Sequence, residues 1–152
     1  MPVAYQNILI AVDLSDEAEE VCAAAQNIAL SQGSANVSAC TIIRPLARTY
    51  GGLDMANVVA GAPFEEEMRV QAKEKLTNLG QEYGVGKENV YVRLGTPATE
   101  IRAIAEEMKC DLIVIGTHGR HGVGLLLGST ANAVLHGVAC DVLVIKIHPL
   151  EQ

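Results

Sequence analysis

Residues 111–130 read DLIVIGTHGRHGVGLLLGST. Asp111 to Ile115 is short and apolar after its first residue, the composition of a strand covered on both faces. It runs directly into Gly116, Gly119, Gly122, Gly124 and Gly128, five of the chain's 14 glycines packed into 13 positions. Beyond them Ala131, Val134, Leu135 and Val138 recur at helical spacing. A buried strand, a glycine-rich loop and a helix in that order belong to an α/β fold, and the stretches on either side repeat the alternation.

Upstream, Asn7 to Asp13 (NILIAVD) is a second continuous apolar run of strand length. From Asp16 the period changes, with Val21, Ala25 and Ile28 on one helical face, Asp16 and Glu19 spaced as a capping box and Gly33 as the stop. Asn36 to Ile43 (NVSACTII) is the next strand. From Pro45 to Pro63 no periodicity shows, which suggests a long loop. Phe64, Met68, Ala72, Leu76 and Leu79 then predict a helix, and Val90 to Leu94 a strand. Thr96-Pro97 starts another helix whose buried stripe is Ile101, Ile104, Ala105 and Met108, and Asp141 to Ile147 is the last strand. The expected fold class is therefore α/β, a doubly wound open parallel sheet of five strands with four helices, in one domain over residues 1–152.

The bulk properties narrow the partners. A net charge of -7 repels a polyphosphate backbone, and 3% aromatic residues without Trp leave few platforms for stacking bases, so no nucleic acid is expected. A hydrophobic content of 49% suffices for a core without disulfides, and Cys22, Cys40, Cys110 and Cys140, scattered among apolar residues with no C-x-x-C pair, read as reduced, buried small hydrophobes. Met1 to Asn7 is polar and lacks the pattern of a secretory leader, and no apolar run approaches a membrane span. The expectation is a cytoplasmic protein without membrane insertion.

In an open parallel sheet ligands sit beyond the carboxyl ends of the strands, so the residues just after each strand carry the chemistry. Glycines there allow tight turns whose successive N–H groups form an anion nest, and the helix opening at Gly128-Ser129-Thr130 adds its dipole and unpaired donors. A phosphate is the natural guest. Ser129 and Thr130 add hydroxyls, and Arg120 or His118 can offset charge. The alternative is that the glycines only build a long connection. After the first strand come Asp13 and Ser15, which either cap the following helix or face the glycine loop if strands one and four are neighbours; a carboxylate there suits a base or ribose donor. The Walker pattern is absent, and the dinucleotide fingerprint would follow the first strand, where Asp13 stands instead.

Taken together, Ile8-Leu9-Ile10-Ala11-Val12-Asp13-Leu14-Ser15, Gly95-Thr96-Pro97 with Glu100-Ile101, residues 111–120, Leu127-Gly128-Ser129-Thr130 and Val142-Leu143-Val144-Ile145 resemble the universal stress protein family across essentially the whole chain. The opening Val-Asp-Leu-Ser is similar to the universal stress protein A branch, much of which lacks a nucleotide motif, whereas the glycine loop is similar to the ATP-binding branch. The family's motif is G-x2-G-x9-G-[ST]; Gly116, Gly119, Gly128 and Ser129 match it with one residue fewer between the second and third glycine. That shortening falls where the loop arches over the phosphates, which raises AMP or ADP beside ATP as the ligand.

The resemblance implies an adenine nucleotide alpha hydrolase-like sheet in the order 3-2-1-4-5, with the last strand, Asp141 to Ile147, pairing with its twin in a homodimer. It also implies that Ala11, Val12 and Asp13 line the adenosine, that Ile42 packs on adenine, and that Ile115 and Gly116 support the opposite side. Gly119, Arg120, Gly128, Ser129 and Thr130 would hold phosphate, with any Mg²⁺ bound through the phosphates. The implied role is an ATP- or AMP-responsive regulatory factor with an unidentified protein partner. A dimeric interaction module that binds no nucleotide is the competing reading. No catalytic base stands out, so at most slow ATP hydrolysis is expected. His118, His121 and His136 lack a cysteine or carboxylate to complete a metal site.

Overall fold

The computed structural model describes residues 4–33, 35–45, 55–117 and 128–147, with the backbone alone for 55–62. Among the described residues the main elements are, in order, β1 (Asn7–Ala11), α1 (Ala18–Ser31), β2 (Asn36–Ile43), α2 (Met55–Glu82), β3 (Val90–Leu94), α3 (Pro97–Glu107), β4 (Leu112–Gly116), α4 (Ser129–Gly137) and β5 (Asp141–Ile145). All strand pairs are parallel and the sheet order is β3-β2-β1-β4-β5, as the resemblance implied. The strands read as unbroken apolar runs because both faces are covered. In β1, Ile8 and Ile10 join a core with Val21, Cys22 and Ala25 of α1 and Leu76 of α2, while Leu9 and Ala11 join a second core with Ile101 and Ile104 of α3 and Ala131 and Val134 of α4. Each fully buried Leu or Ile contributes about 1.5–3 kcal/mol relative to exposure, so β1, flanked on both sides and covered on both faces, is the anchor of the sheet.

Several local expectations are corrected. α2 begins at Met55 rather than Phe64, so the second half of the expected loop is helical and Pro63 lies inside the helix. Proline removes one backbone donor, and the alanines at 56, 60 and 62 are strong helix formers that offset this; a segment without apolar periodicity can still be helical. Phe64 is 54% exposed, leaving Leu76 as the fully buried residue of the α2 stripe. Residues 46–54, the remainder of that loop, lie outside the described residues. The capping box of Asp16 and Glu19 does not form: α1 starts at Ala18 with Glu17 at its N-cap and no side-chain cap bond. The entry turn is closed instead by the Ala18 N–H donating to the Ser15 carbonyl at 3.0 Å. On α4, Leu135 is 43% exposed, since the nine-residue helix buries only Ala131 and Val134. β5 stops at Ile145, after which Ile147 turns inward to 4% exposure.

Candidate functional site

Pairing of β1 with β4 aligns Ala11 with Ile115, so the chain leaving β1 through Val12 and Asp13 runs beside Gly116 and Thr117. Leu14 then takes a positive φ of 62°, a conformation costing a side-chain-bearing residue about 1 kcal/mol or more, of the kind that clusters at functional turns. It reverses the chain so that the Ser15 N–H donates to Asp13 Oδ1 at 3.0 Å and the Ser15 hydroxyl donates to Glu17 Oε2 at 2.9 Å. Asp13 is exposed, and with one oxygen accepting a single N–H its carboxylate retains acceptor capacity. Asp13 thus closes the turn that leads into α1 without capping the helix itself, whose N-cap is Glu17; the glycine loop it was expected to face lies outside the described residues.

The side chains of Ala11, Ile42 and Ile115 all lie on the face covered by α3 and α4, which is also the face carrying the start of α4. Val12 differs. Its side chain packs on the opposite core and its N–H donates to the Cys40 carbonyl at 3.1 Å, so only its carbonyl edge remains for the strand end. Gly116 also has a packing reason that the sequence did not reveal. A Cβ there would meet Ile147 Cδ1, Ile147 Cγ1 and Val21 Cγ2, each at 3.3 Å, on the α1 face.

α4 opens with Gly128 at its N-cap in extended geometry, φ −61° and ψ 150°, with no side-chain cap bond. The first N–H groups of a helix have no partner within it, and a glycine N-cap supplies none. Ser129 is exposed at the first helical position and Thr130 is half-buried behind it. Such a terminus favours an anion through both dipole and donors.

Thr117 fastens these parts together, and the sequence reading passed over it. Its N–H donates to the Ile145 carbonyl at 2.9 Å, its carbonyl accepts the Gly128 N–H at 2.5 Å, and its hydroxyl accepts the Ile147 N–H at 3.2 Å. The end of β4, the start of α4 and the chain after β5 therefore meet on one residue. The available signal was a β-branched hydroxyl directly after the strand, between two glycine-loop positions. His118, Gly119 and Arg120, and the rest of the glycine loop to residue 127, lie outside the described residues.

Charge at the far side of this face is already matched. Arg93, paired in register with Ile42, donates to both carboxylate oxygens of Glu107 and lies 4.0 Å from Glu100. The Glu107 hydrogen bond raises the Arg93 guanidinium above its ordinary value. Glu100 in turn packs into the space left by Gly95, whose φ is +154°. Among the described residues no group of three His, Cys, Asp or Glu side chains is placed to hold a metal, and no helix is long and apolar enough to cross a membrane.

Residues 4–146 match the model of the universal stress protein family. The chain belongs to the universal stress protein family. It is 36% identical over 141 residues to universal stress protein A homolog 1 of Coxiella burnetii, covering 93% of this chain and 96% of that one. The structure of the universal stress protein UspA from Lactobacillus plantarum superimposes with a TM-score of 0.77 at 26% identity, covering 95% of this chain and 99% of that one. A universal stress protein solved in complex with cAMP has a TM-score of 0.57 at 24% identity, covering 95% and 98%, a likeness of fold alone.

Proposed function

We propose that this universal stress protein binds an adenine nucleotide, AMP or ATP, at the carboxyl end of β1 and β4 and acts as a cytoplasmic regulatory factor rather than a fast enzyme. The observation that carries this reading is the placement of the N-terminus of α4, which has no side-chain cap bond among the described residues, on the same sheet face as Ala11, Ile42 and Ile115, with Asp13 at the adjoining strand end. An anion terminus, an apolar floor and a carboxylate acceptor are the three chemistries a nucleotide requires, for phosphate, base and ribose respectively. Gly128, Ser129 and Thr130 hold the phosphates with Gly119 and Arg120, and His118 adds a donor. Asp13, with Ser15 fixing its turn, accepts from the ribose or base. Ile42 and Ile115 pack on adenine, and Val12 contributes its backbone. Mg²⁺, when present, arrives on the phosphates and keeps its waters.

Equilibrium dialysis against ATP, AMP and cyclic AMP tests this directly, cyclic AMP being included because a neighbour of the same fold was solved with it. Saturable binding of at least one is expected. No binding of any of the three at millimolar concentration overturns the proposal and leaves the interaction module.

In the same reading the protein is a homodimer paired through β5. That strand is the sheet edge, Leu143 on it is 36% exposed, and an apolar edge of this kind is normally paired or protected. Light scattering after size exclusion is expected to give twice the chain mass, and a monomer at micromolar concentration would contradict it.

A further inference from the structure

Cys110 and Cys140 stand apart from the other two thiols. Cys22 and Cys40 are fully enclosed, whereas Cys110 and Cys140 are only half-buried. Cys110 lies two residues before β4 and Cys140 directly before β5, and the register that aligns Leu112 with Asp141 sets Asp111 opposite Cys140, with Cys110 one residue further back. Adjacent strands lie about 4.8 Å apart with a rise of about 3.3 Å per residue, which puts the two α-carbons roughly 6 Å apart, within the range a disulfide spans. Both side chains pack against the α3 and α4 core, close enough for each thiol to perturb the other's ionisation. The Cys110 thiol also donates to the Leu112 carbonyl at 2.9 Å, which holds it in place.

We propose that Cys110 and Cys140 form an oxidisable dithiol that closes to an intramolecular disulfide when the protein meets a hydroperoxide. Cys140 reacts first. Its thiolate attacks one peroxide oxygen, forming an S–O bond as the O–O bond breaks, and the other oxygen leaves as water or an alcohol with the proton that the thiol released. The Cys110 sulfur then attacks the Cys140 sulfenic acid. The S–S bond forms, the S–O bond breaks, and the hydroxide leaves as water with the Cys110 proton. Two thiols and one hydroperoxide thus give one disulfide, one water and one further water or alcohol.

Burial pushes the Cys110 thiol up to about 12 and raises Cys140 less, so Cys140 is the better nucleophile and both are slow at rest. Slow attack suits a device that responds to sustained oxidant rather than to ordinary peroxide levels. A thiol pair not stabilised as thiolate also favours the disulfide once it has formed. The bridge would join the amino ends of β4 and β5 and enclose residues 111–139, including Thr117 and α4. It lies at the opposite end of these strands from the candidate ligand site, so it braces that segment without obstructing it.

The test treats the purified wild-type chain with hydrogen peroxide, denatures it, tags the remaining thiols with a maleimide and maps the peptides by mass. Two free thiols out of four, a chain lighter by two hydrogens and a linked Cys110–Cys140 peptide are expected. Thermal unfolding should rise by about 5–10 °C and return to its starting value with a reductant. In Cys110→Ser the link should be lost and Cys140 trapped as a sulfenic acid by dimedone. If that variant does not fold, the wild-type peptide map still decides. A Cys140–Cys140 link between chains, a disulfide to Cys22 or Cys40, or both thiols persisting while methionines oxidise overturns the proposal.

Discussion

Replacing Gly116 by alanine separates a packing role from a ligand role at the residue that joins β4 to the glycine loop. The new methyl would sit 3.3 Å from two atoms of Ile147 and from Val21 Cγ2. That is a few tenths of an ångström inside the favourable carbon–carbon separation of about 3.5–4.0 Å. Neither neighbour yields freely: Val21 is buried in α1, and Ile147 is buried with its N–H held by the Thr117 hydroxyl. Overpacking costs about 1–3 kcal/mol, and so small an overlap belongs near the lower end. Loss of glycine's freedom in the unfolded chain returns about 0.4–1 kcal/mol. The net loss is about 0.5 kcal/mol, a fall in Tm of about 1–2 °C at this chain length. Because the methyl points toward α1, away from the start of α4, nucleotide affinity should change by less than about threefold. Calorimetric melting and nucleotide titration of the same preparation provide the assay. An unchanged Tm with affinity reduced more than about tenfold would contradict the packing role and show that the ligand requires a backbone without a side chain at Gly116.

Thr117→Val keeps the shape but leaves the Ile147 N–H without its acceptor, and urea unfolding should show a loss of about 1–2 kcal/mol, whereas Thr117→Ser should stay near wild type. Leu76→Ala should cost about 2–5 kcal/mol, because Leu76 is the fully buried contact of α2 with the sheet; a loss below 1 kcal/mol would mean that α2 is not held there. Burial pushes the Cys40 thiol up to about 12, so iodoacetamide at neutral pH should leave Cys40 unmodified in the folded chain and alkylate it after urea unfolding, as peptide mass mapping will show.

The strands were legible because full burial on both faces leaves a continuous apolar run, and Leu112–Gly116 and Asn36–Ile43 needed no context to read. Helices with an apolar stripe, such as α3, were equally clear. The start of α2 was not, because Met55 to Ala62 has helix-forming residues without an amphipathic period, and Pro63 reads as a break in any short window. The entry to α1 differs for another reason: Asp16 and Glu19 have capping-box spacing, but the turn through Leu14, in the left-handed region, is closed by the Ala18 N–H on the Ser15 carbonyl and the helix starts one residue later, with Glu17 at its N-cap. At the candidate site, residue type and spacing singled out Asp13 and Gly128 to Thr130 as candidates. They could not give the face to which each side chain points, so Val12 and Gly116 acquired their packing roles only from the sheet. Thr117 was missed because its role is to bond three backbone segments that are distant in sequence or separated by a loop.

If the N-terminus of α4 holds the phosphates of an adenine nucleotide, Ser129→Glu should disrupt that contact without unfolding the helix. An acidic residue in the first turn of a helix favours the helix by about 0.3–1 kcal/mol, so Tm should hold or rise slightly. The same charge at exposed Ser129 opposes a phosphate at that terminus. The measurement is the dissociation constant of AMP by equilibrium dialysis, or of ATP if the wild type binds only that, for wild type and variant. Affinity should be weakened by about tenfold or more in the variant, with stability retained. Equal affinity in the two proteins would contradict that contact.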